Sequence, residues 1–406
     1  MNTHPETQLP VYPTQIDLPP HARGRTALGM TAAAARGEFM LQQCSDCGAV
    51  QYPPRQACHR CLGAELPWQR QAQGAVLVSQ TVLHHSNARY FRHRLPWHVG
   101  LARLDCGPTV MLHLPAPLPE AARLRVDMRL DRAGSAILIG LPEEEATEMK
   151  DSALMRELGC DPRGRTILVT DAQSLAGRAI VTALTQAGAA RIWAGCPVIV
   201  DPLRQNAVAQ AVRLDLRDVG SLRAAAAAIG EELDIVINTA TLQAPARVAN
   251  LMDRNDASAE MDINYFGLLR LAEVFSPLLR QRSSAQPQHM PAWVNLLSIG
   301  ALASLPGQAS YCASQAAAHC FSQGLRADLS GAGVRVMNLF PGPLEDDSPA
   351  QSPGIRVAPA VLARALLQGL RSGLEDVYPG ELAQDWVSRW RADPKVFERE
   401  VNRPPG

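Results

Sequence analysis

From residue 164 onward the apolar residues fall into short unbroken runs, separated by longer stretches with helical spacing. The run "RTILVT" predicts a buried parallel strand, and "ARIWAG", "AVRLDL", "LDIVINTA", "AWVNLLSI" and "VRVMNLF" predict the strands that follow it. A helix is predicted from about Ala176 to Ala187, and another in "LRAAAAAIG". Strands alternating with helices predict an α/β domain, a doubly wound parallel sheet of Rossmann type. The pattern ahead of residue 142 is different. "GAVLVSQTVLHH", "WHVGLARLD", "PTVMLHLP", "LRVDMRLD" and "SAILIGLP" are short runs rich in β-formers and bounded by turn residues. Their number and length fit a small OB-type β-barrel. The chain is therefore expected to divide into an extended, proline-rich arm (1–27), a cysteine-containing segment with the barrel (28–142), a charged linker with a short helix (143–163) and the sheet domain (164–406).

Composition agrees with this division and removes some functions. A chain of 406 residues exceeds one ordinary core, which favours two domains. Apolar residues make up 47% and charged residues 19%, as in a well-packed globular protein. Lys+Arg and Asp+Glu are equal at 39 each, so no overall field draws the chain to nucleic acid or to a membrane surface. No apolar run approaches the ~18 residues of a membrane span. The start, "MNTHPETQLPVYPTQIDLPPHARGR", lacks the pattern of a signal peptide, and nine cysteines without an export signal are expected in a reducing cytoplasm.

Four of those cysteines cluster in "CSDCGAVQYPPRQACHRC": Cys44, Cys47, Cys58 and Cys61. Each Cys-x-x-Cys pair can form a tight knuckle, and the segment between can fold back as a hairpin. Four soft thiolates suit structural zinc, with no position left for water. Ordinary buried thiols do not explain the paired spacing, and redox use of one pair is the smaller alternative. His59 lies within the second knuckle, but four thiolates already complete a site. Farther on, "HHSNARYFRHRLPWH" (84–98) interleaves arginines with Tyr90, Phe91 and Trp97. It reads either as a solvated loop or as a docking element for a partner protein or CoA phosphates.

Ribbon followed by barrel, with "RGEFMLQQCSDCGAVQYPPRQACHRC", "GAVLVSQTVLH" and "VGLARLD", resembles the zinc-ribbon/OB-fold proteins associated with acyl-CoA metabolism. The resemblance covers roughly residues 25–142. It implies a module that partners, or is fused to, a thiolase-like enzyme acting on acyl-CoA thioesters. A homo- or hetero-oligomer is the corresponding expectation.

The second half resembles the short-chain dehydrogenase/reductase family. "RLDLRD" places Asp215 where the family contacts adenine, and "DIVINTAT" keeps Asn238 and Ala240. "MDINYFG" supplies Asn264, Ser298 and Tyr311 keep the family's spacing, and "FPGP" places Pro341 and Gly342 under the nicotinamide. The resemblance thus implies catalytic roles for Asn264, Ser298 and Tyr311, and NAD(P) contacts from Thr170, Gly177, Asp215, Asn238, Pro341 and Gly342.

The same comparison exposes three departures. In "SYCASQAAAH" the lysine expected four residues after Tyr311 is Gln315. A free tyrosine ionises near pH 10, and a neighbouring ammonium lowers this by about 1–3 units; Gln315 carries no charge to do so. In "TDAQSLAG" (170–177), Asp171 and Leu175 replace glycines of the Thr-Gly-x-x-x-Gly-x-Gly pattern, and only Gly177 survives. Glycines there let the backbone approach a pyrophosphate at a helix N-terminus. Asp171 is expected to tolerate an unusual backbone angle. The residue that selects between NAD and NADP is replaced by "AGCP" (194–197). Two readings follow. One is an accessory subunit whose dehydrogenase-like domain is a scaffold with a degraded cofactor site. The other is an active NAD(P)-dependent reductase or dehydrogenase of a 3-oxoacyl or 3-hydroxyacyl thioester.

Overall fold

A computed structural model describes residues 16–20, 24–143, 152–199, 208–244, 254–345 and 356–403. Helix α1 (Leu28–Ala35) leads into a small antiparallel sheet of β1 (Met40–Gln43), β2 (Val50–Gln51) and β3 (Trp68–Arg70), in the order β2-β1-β3. Five strands then close a barrel: β4 (Gly74–Leu83), β5 (Trp97–Leu104), β6 (Thr109–Leu114), β7 (Arg123–Leu130) and β8 (Ala136–Pro142). They run in the order β4-β5-β6-β8-β7, with β6 and β8 parallel, so the five predicted strands form one OB-type barrel. Alternate residues of β5 and β6, such as Ala102, Leu104, Val110 and Leu112, point inward. They share a core with Met30 and Ala33 of α1 and Leu41 of β1, so the ribbon is packed onto the barrel rather than tethered to it.

The sheet domain has seven strands: β9 (Thr166–Val169), β10 (Arg191–Cys196), β11 (Ala209–Arg213), β12 (Leu233–Asn238), β13 (Ala292–Leu296), β14 (Arg335–Leu339) and β15 (Asp376–Val377). Their order, β11-β10-β9-β12-β13-β14-β15, and their parallel pairing are those of a doubly wound sheet. Strands β9, β12, β13 and β14 are buried along their whole length, which is why they carry no alternation in the sequence. The order reverses between β9 and β12, which opens a crevice at their C-terminal ends. The helices that frame this crevice are α4 (Leu175–Gln186), α6 (Arg254–Met261) and α8 (Ala309–Ser330); the others up to that point are α2 (Arg89–Arg92), α3 (Ala153–Leu158), α5 (Val219–Ile229) and α7 (Leu268–Ala285).

Barrel and sheet domain meet through buried polar contacts. Arg132, 3% exposed, donates to Ser283 Oγ and to the carbonyl of Pro287, both in the sheet domain. In the other direction Arg335 donates to the carbonyl of Asp131 at 2.8 Å. Glu157 of α3 accepts from Tyr90 Oη and from Arg94 Nε, while Arg94 also reaches the Pro287 carbonyl at 3.0 Å. Burial, with Glu157 alongside, pushes the Tyr90 phenol far above its ordinary range. The expected docking loop therefore spends Tyr90 and Arg94 within the chain. Trp97 is turned the same way, packing against the cluster that α3 forms with Ile137, Ile139 and Leu141. Part of the expected extended arm is packed as well. Ile16 touches the sheet-domain core, and Leu18 lies against Gly333. Residues 1–15 and 144–151 lie outside the described residues.

Glu157→Ala should leave Arg94 charged in a nearly closed site with no carboxylate. We expect a loss of about 3–5 kcal/mol and separation of one denaturant transition into two. Tryptophan fluorescence and far-UV circular dichroism across a urea titration would check this; an unchanged single transition would contradict it.

Candidate functional site

The ribbon builds its metal site from two equivalent turns. The amide of Gly48 donates to the Cys44 carbonyl at 2.9 Å, and that of Leu62 to the Cys58 carbonyl at 3.0 Å. Each turn closes on a residue in the left-handed region, Gly48 at φ +70 and Leu62 at φ +63. In Leu62 that conformation carries a strain of roughly 1–2 kcal/mol. The sulfurs of Cys44, Cys47, Cys58 and Cys61 all lie within 4.8 Å of one another. Cys44 and Cys61 are 3.5 Å apart, and Cys47 and Cys58 3.6 Å. Zinc bound tetrahedrally at ≈ 2.3 Å separates its sulfurs by about 3.8 Å, so the four residues fit it. The amide N–H of Arg60 donates to the Cys58 sulfur at 3.4 Å, the kind of contact that supports a thiolate. His59 turns to the side-chain oxygen of Gln51 instead, through its amide at 3.1 Å and its ring at 3.3 Å.

The second site is the crevice of the sheet domain. Thr170 directly follows β9, and its Oγ1 donates to Asn238 Oδ1 at 2.9 Å while accepting the Thr239 and Ala240 amides. The loop that follows closes on itself. The Asp171 carboxylate accepts the Gln173 amide at 3.2 Å and the Ser174 amide at 3.3 Å through Oδ1. Ser174 Oγ caps α4 by accepting the Gly177 amide at 3.0 Å. The Asp171 amide bonds Thr239 Oγ1, and the Ala172 amide bonds the Gly195 carbonyl. The amides of Asp171, Ala172, Gln173, Ser174 and Gly177 therefore all have acceptors within the chain. Burial raises the Asp171 carboxyl above its ordinary value, and the two amides pull it partly back. The expected unusual backbone angle at Asp171 is absent, because the described non-glycine residues with positive φ are Leu62 and Ala121. Gly177 has a packing reason to persist: a Cβ there would sit 1.9 Å from the Asp171 carbonyl oxygen.

Asn264, Ser298, Tyr311 and Gln315 do come together. Asn264 lies in a π-helical turn, Asp262–Gly267, and all its side-chain groups are engaged. Its Oδ1 accepts the Leu242 amide at 2.7 Å and Thr241 Oγ1 at 3.3 Å. Its Nδ2 donates to the Leu242 carbonyl and to Ser314 Oγ, both at 2.8 Å. Tyr311 is buried, and burial raises its phenol above the ordinary value; the hydroxyls of Ser298 and Thr241 lower it partly, and Glu260 adds to the rise. Gln315, 2% exposed, donates to Thr241 Oγ1 at 3.2 Å, and its Oε1 has no partner. Pro341 accepts the Ile299 amide through its carbonyl at 2.9 Å, and Gly342 lies against Leu382. Asp215 is held by Arg217, whose hydrogen bonds keep its carboxyl below the usual range.

Three participants were not foreseen. Thr241 links Gln315 to Asn264, Ser314 ties Asn264 to α8, and Glu260 is buried one helical turn before Asn264. Thr241 carried a sequence signal, since it directly follows the recognised "NTA"; Glu260 carried none.

Comparison with known proteins follows this layout. A family model described as short chain dehydrogenase matches residues 165–352. Models described as ChsH2, rubredoxin-like zinc ribbon domain and ChsH2, C-terminal OB-fold domain match residues 31–67 and 68–134. An uncharacterized short-chain type dehydrogenase/reductase of Sinorhizobium fredii is 34% identical over 185 residues, covering 45% of this chain and 71% of that protein. A sulfoacetaldehyde reductase of Chromohalobacter salexigens is 30% identical over 189 residues, covering 45% and 73%. Among solved structures, a short chain dehydrogenase from Burkholderia cenocepacia in complex with NADP aligns at a TM-score of 0.55 with 30% identity, covering 60% of this chain and 100% of that one. Among the described residues no helix is long and apolar enough to cross a membrane.

Two outcomes are expected. Metal analysis of protein purified without chelator should give about one zinc per chain, and Cys44→Ser should abolish it and loosen the ribbon, because ligation supplies folding energy. A folded ribbon with no zinc would contradict the assignment. Tyr311, buried and without a neighbouring cation, should ionise only above pH ~10. Gln315→Lys should lower that by about 1–3 pH units. Ultraviolet difference titration against Tyr311→Phe reads both.

Proposed function

The chain belongs to the short-chain dehydrogenase/reductase family through its C-terminal half, and on that premise we propose that it is an accessory subunit of acyl-CoA metabolism. In this reading the ribbon and barrel dock a thiolase-like carbon–carbon bond enzyme, and the dehydrogenase-like domain is a scaffold whose dinucleotide site no longer works. The fused ribbon and barrel support the acyl-CoA association. The observation that carries the loss of the dinucleotide site is the Asp171 carboxylate, bonded to the Gln173 and Ser174 amides. An anion from within the chain takes donors that a phosphate loop would otherwise offer, and a pyrophosphate would be repelled by it. The residues present therefore do not fit a dinucleotide phosphate.

The proton side of the chemistry points the same way. Family chemistry asks Tyr311 to exchange a proton near neutral pH. Here its phenol is raised rather than lowered, and Gln315 stands where a cation would correct that. Asn264 spends its side chain on Leu242, Thr241 and Ser314, which supports a role in holding the segment after β12.

The alternative, an active NAD(P)-dependent reductase or dehydrogenase of a 3-oxoacyl or 3-hydroxyacyl thioester, has one observation in its favour. Ser298 still reaches the Tyr311 hydroxyl, as a live active site requires. The two readings part on repair. Gln315→Lys alone should restore little nucleotide binding, because the phosphate loop is untouched. Asp171→Gly and Leu175→Gly added to it should raise NADH or NADPH affinity at least tenfold by calorimetry. If Gln315→Lys alone yields tight binding and turnover, the loop was never the obstacle and the scaffold reading fails.

A further inference from the structure

A cleft of about 530 Å³, within the size range of small-molecule sites, opens where barrel, α3 and sheet domain meet. The barrel module supplies residues 93–98 and the end of β6, α3 supplies Leu154, Arg156 and Glu157, and the sheet domain supplies Gln288 and His289. The barrel residues lie in the stretch that matches the OB-fold model, and Gln288 and His289 in the stretch that matches the dehydrogenase model; α3 falls between the two. The cleft is therefore made by the fusion and belongs to neither module alone. Much of its surface is apolar. Leu114 and Leu154 are buried in it, joined by Leu95, Pro96 and Pro115. Trp97 spends its indole N–H on His113 Nδ1 at 2.9 Å, outside the lining, so it adds apolar ring surface.

The polar part of the lining favours one sign of charge. It holds two guanidiniums, Arg94 and Arg156, against one carboxylate, Glu157. Glu157 is ion-paired with Arg94, and both its oxygens are taken, by Tyr90 Oη and Arg94 Nε. Arg156 is exposed and engaged within the chain as well, so it contributes its charge rather than an idle donor. The remaining titratable groups are imidazoles. His93 faces Asp17 at 3.8 Å, whereas the rings of His98 and His289 make no hydrogen bond among the described residues. Burial holds the His289 ring below its ordinary pKa, and the guanidiniums of Arg165, Arg282 and Arg156 add to this against the single opposing charge of Asp234. An anion there meets two uncommitted ring N–H donors in cationic surroundings. We infer that the cleft binds a small monocarboxylate with an apolar body, its carboxylate held by His98 and His289 near Arg156 and its body lying against Trp97, Leu114 and Leu154. Such a ligand touches both modules and the helix between them. The dinucleotide crevice is elsewhere: it opens at the C-terminal ends of the strands, whereas His289 stands just before the N-terminal end of β13.

Octanoate serves as the probe; 1-octanol keeps its body without the charge, and acetate keeps the charge without the body. Calorimetry and saturation-transfer NMR on the full chain should show saturable octanoate binding. Each of the other two should bind about tenfold more weakly or worse, the loss expected when a charge-assisted hydrogen bond or several buried methylenes are removed. His289→Leu keeps an apolar side chain and removes the ring donor; it should weaken octanoate about tenfold while circular dichroism and zinc content stay unchanged. Should that variant misfold, His98→Leu takes its place with the same expectation. Arg156→Gln should weaken octanoate about threefold, as an exposed charge does, and leave 1-octanol unaffected. Absence of saturable octanoate binding to the folded protein overturns the inference. So does 1-octanol binding as tight as octanoate's, which would make the cleft merely apolar, or undiminished octanoate binding by the folded histidine variant or by Arg156→Gln, which would seat the carboxylate elsewhere.

Discussion

A carboxylate fills the loop where this fold ordinarily receives phosphate. Asp171 lies between the end of β9 and the cap of α4, and the structure around it depends on that placement. Its oxygen satisfies the Gln173 and Ser174 amides, Ser174 in turn caps the helix, and Gly177 must remain small because the Asp171 carbonyl lies against it. The loop pairs the Asp171, Ala172, Gln173 and Ser174 amides internally. The Gln173, Ser174 and Gly177 amides are thereby taken by acceptors of the chain itself, which leaves fewer donors for an external anion.

The second constraint is the union of the two modules. Arg132 and Arg335 each cross the interface to reach carbonyls on the other side, and Glu157 gathers Tyr90 and Arg94 into one buried cluster. Buried as they are, these groups could not be left unpaired without large cost. The barrel is consequently held against the sheet domain, and the ribbon shares the barrel's core. This geometry suits a scaffold, because whatever the barrel engages is held at a set position relative to the crevice.

Much of this was legible in the sequence. The five barrel strands and six of the sheet strands stood out because their short runs were rich in β-formers and bounded by turn residues, and the cysteine spacing pointed directly to one metal site. Strand β15 did not stand out: Asp376–Val377 is too short to carry a period and is recruited by pairing with Asn338 and Leu339. The fate of "RYFRHRLPWH" was also invisible, because an aromatic–arginine loop looks the same whether it meets a partner or its own chain. In the crevice, motif spacing brought Asn264, Ser298, Tyr311 and Gln315 together correctly. It could not show that Asn264 is saturated by Leu242 and Ser314, that Glu260 is buried beside it, or that Asp171 turns back on its own loop. Those outcomes depend on side-chain direction within a folded crevice.

Scaffold and reductase differ in whether the unaltered protein binds a dinucleotide. Calorimetric titration of the full chain with NADH and with NADPH is the most direct measurement, with intact fold and zinc content established on the same sample. A closed phosphate loop predicts no saturable heat for either nucleotide up to about millimolar concentration, the range where binding energy falls to roughly 4 kcal/mol. Micromolar binding of either one, accompanied by reduction of a 3-oxoacyl thioester that is lost in Tyr311→Phe, would contradict it.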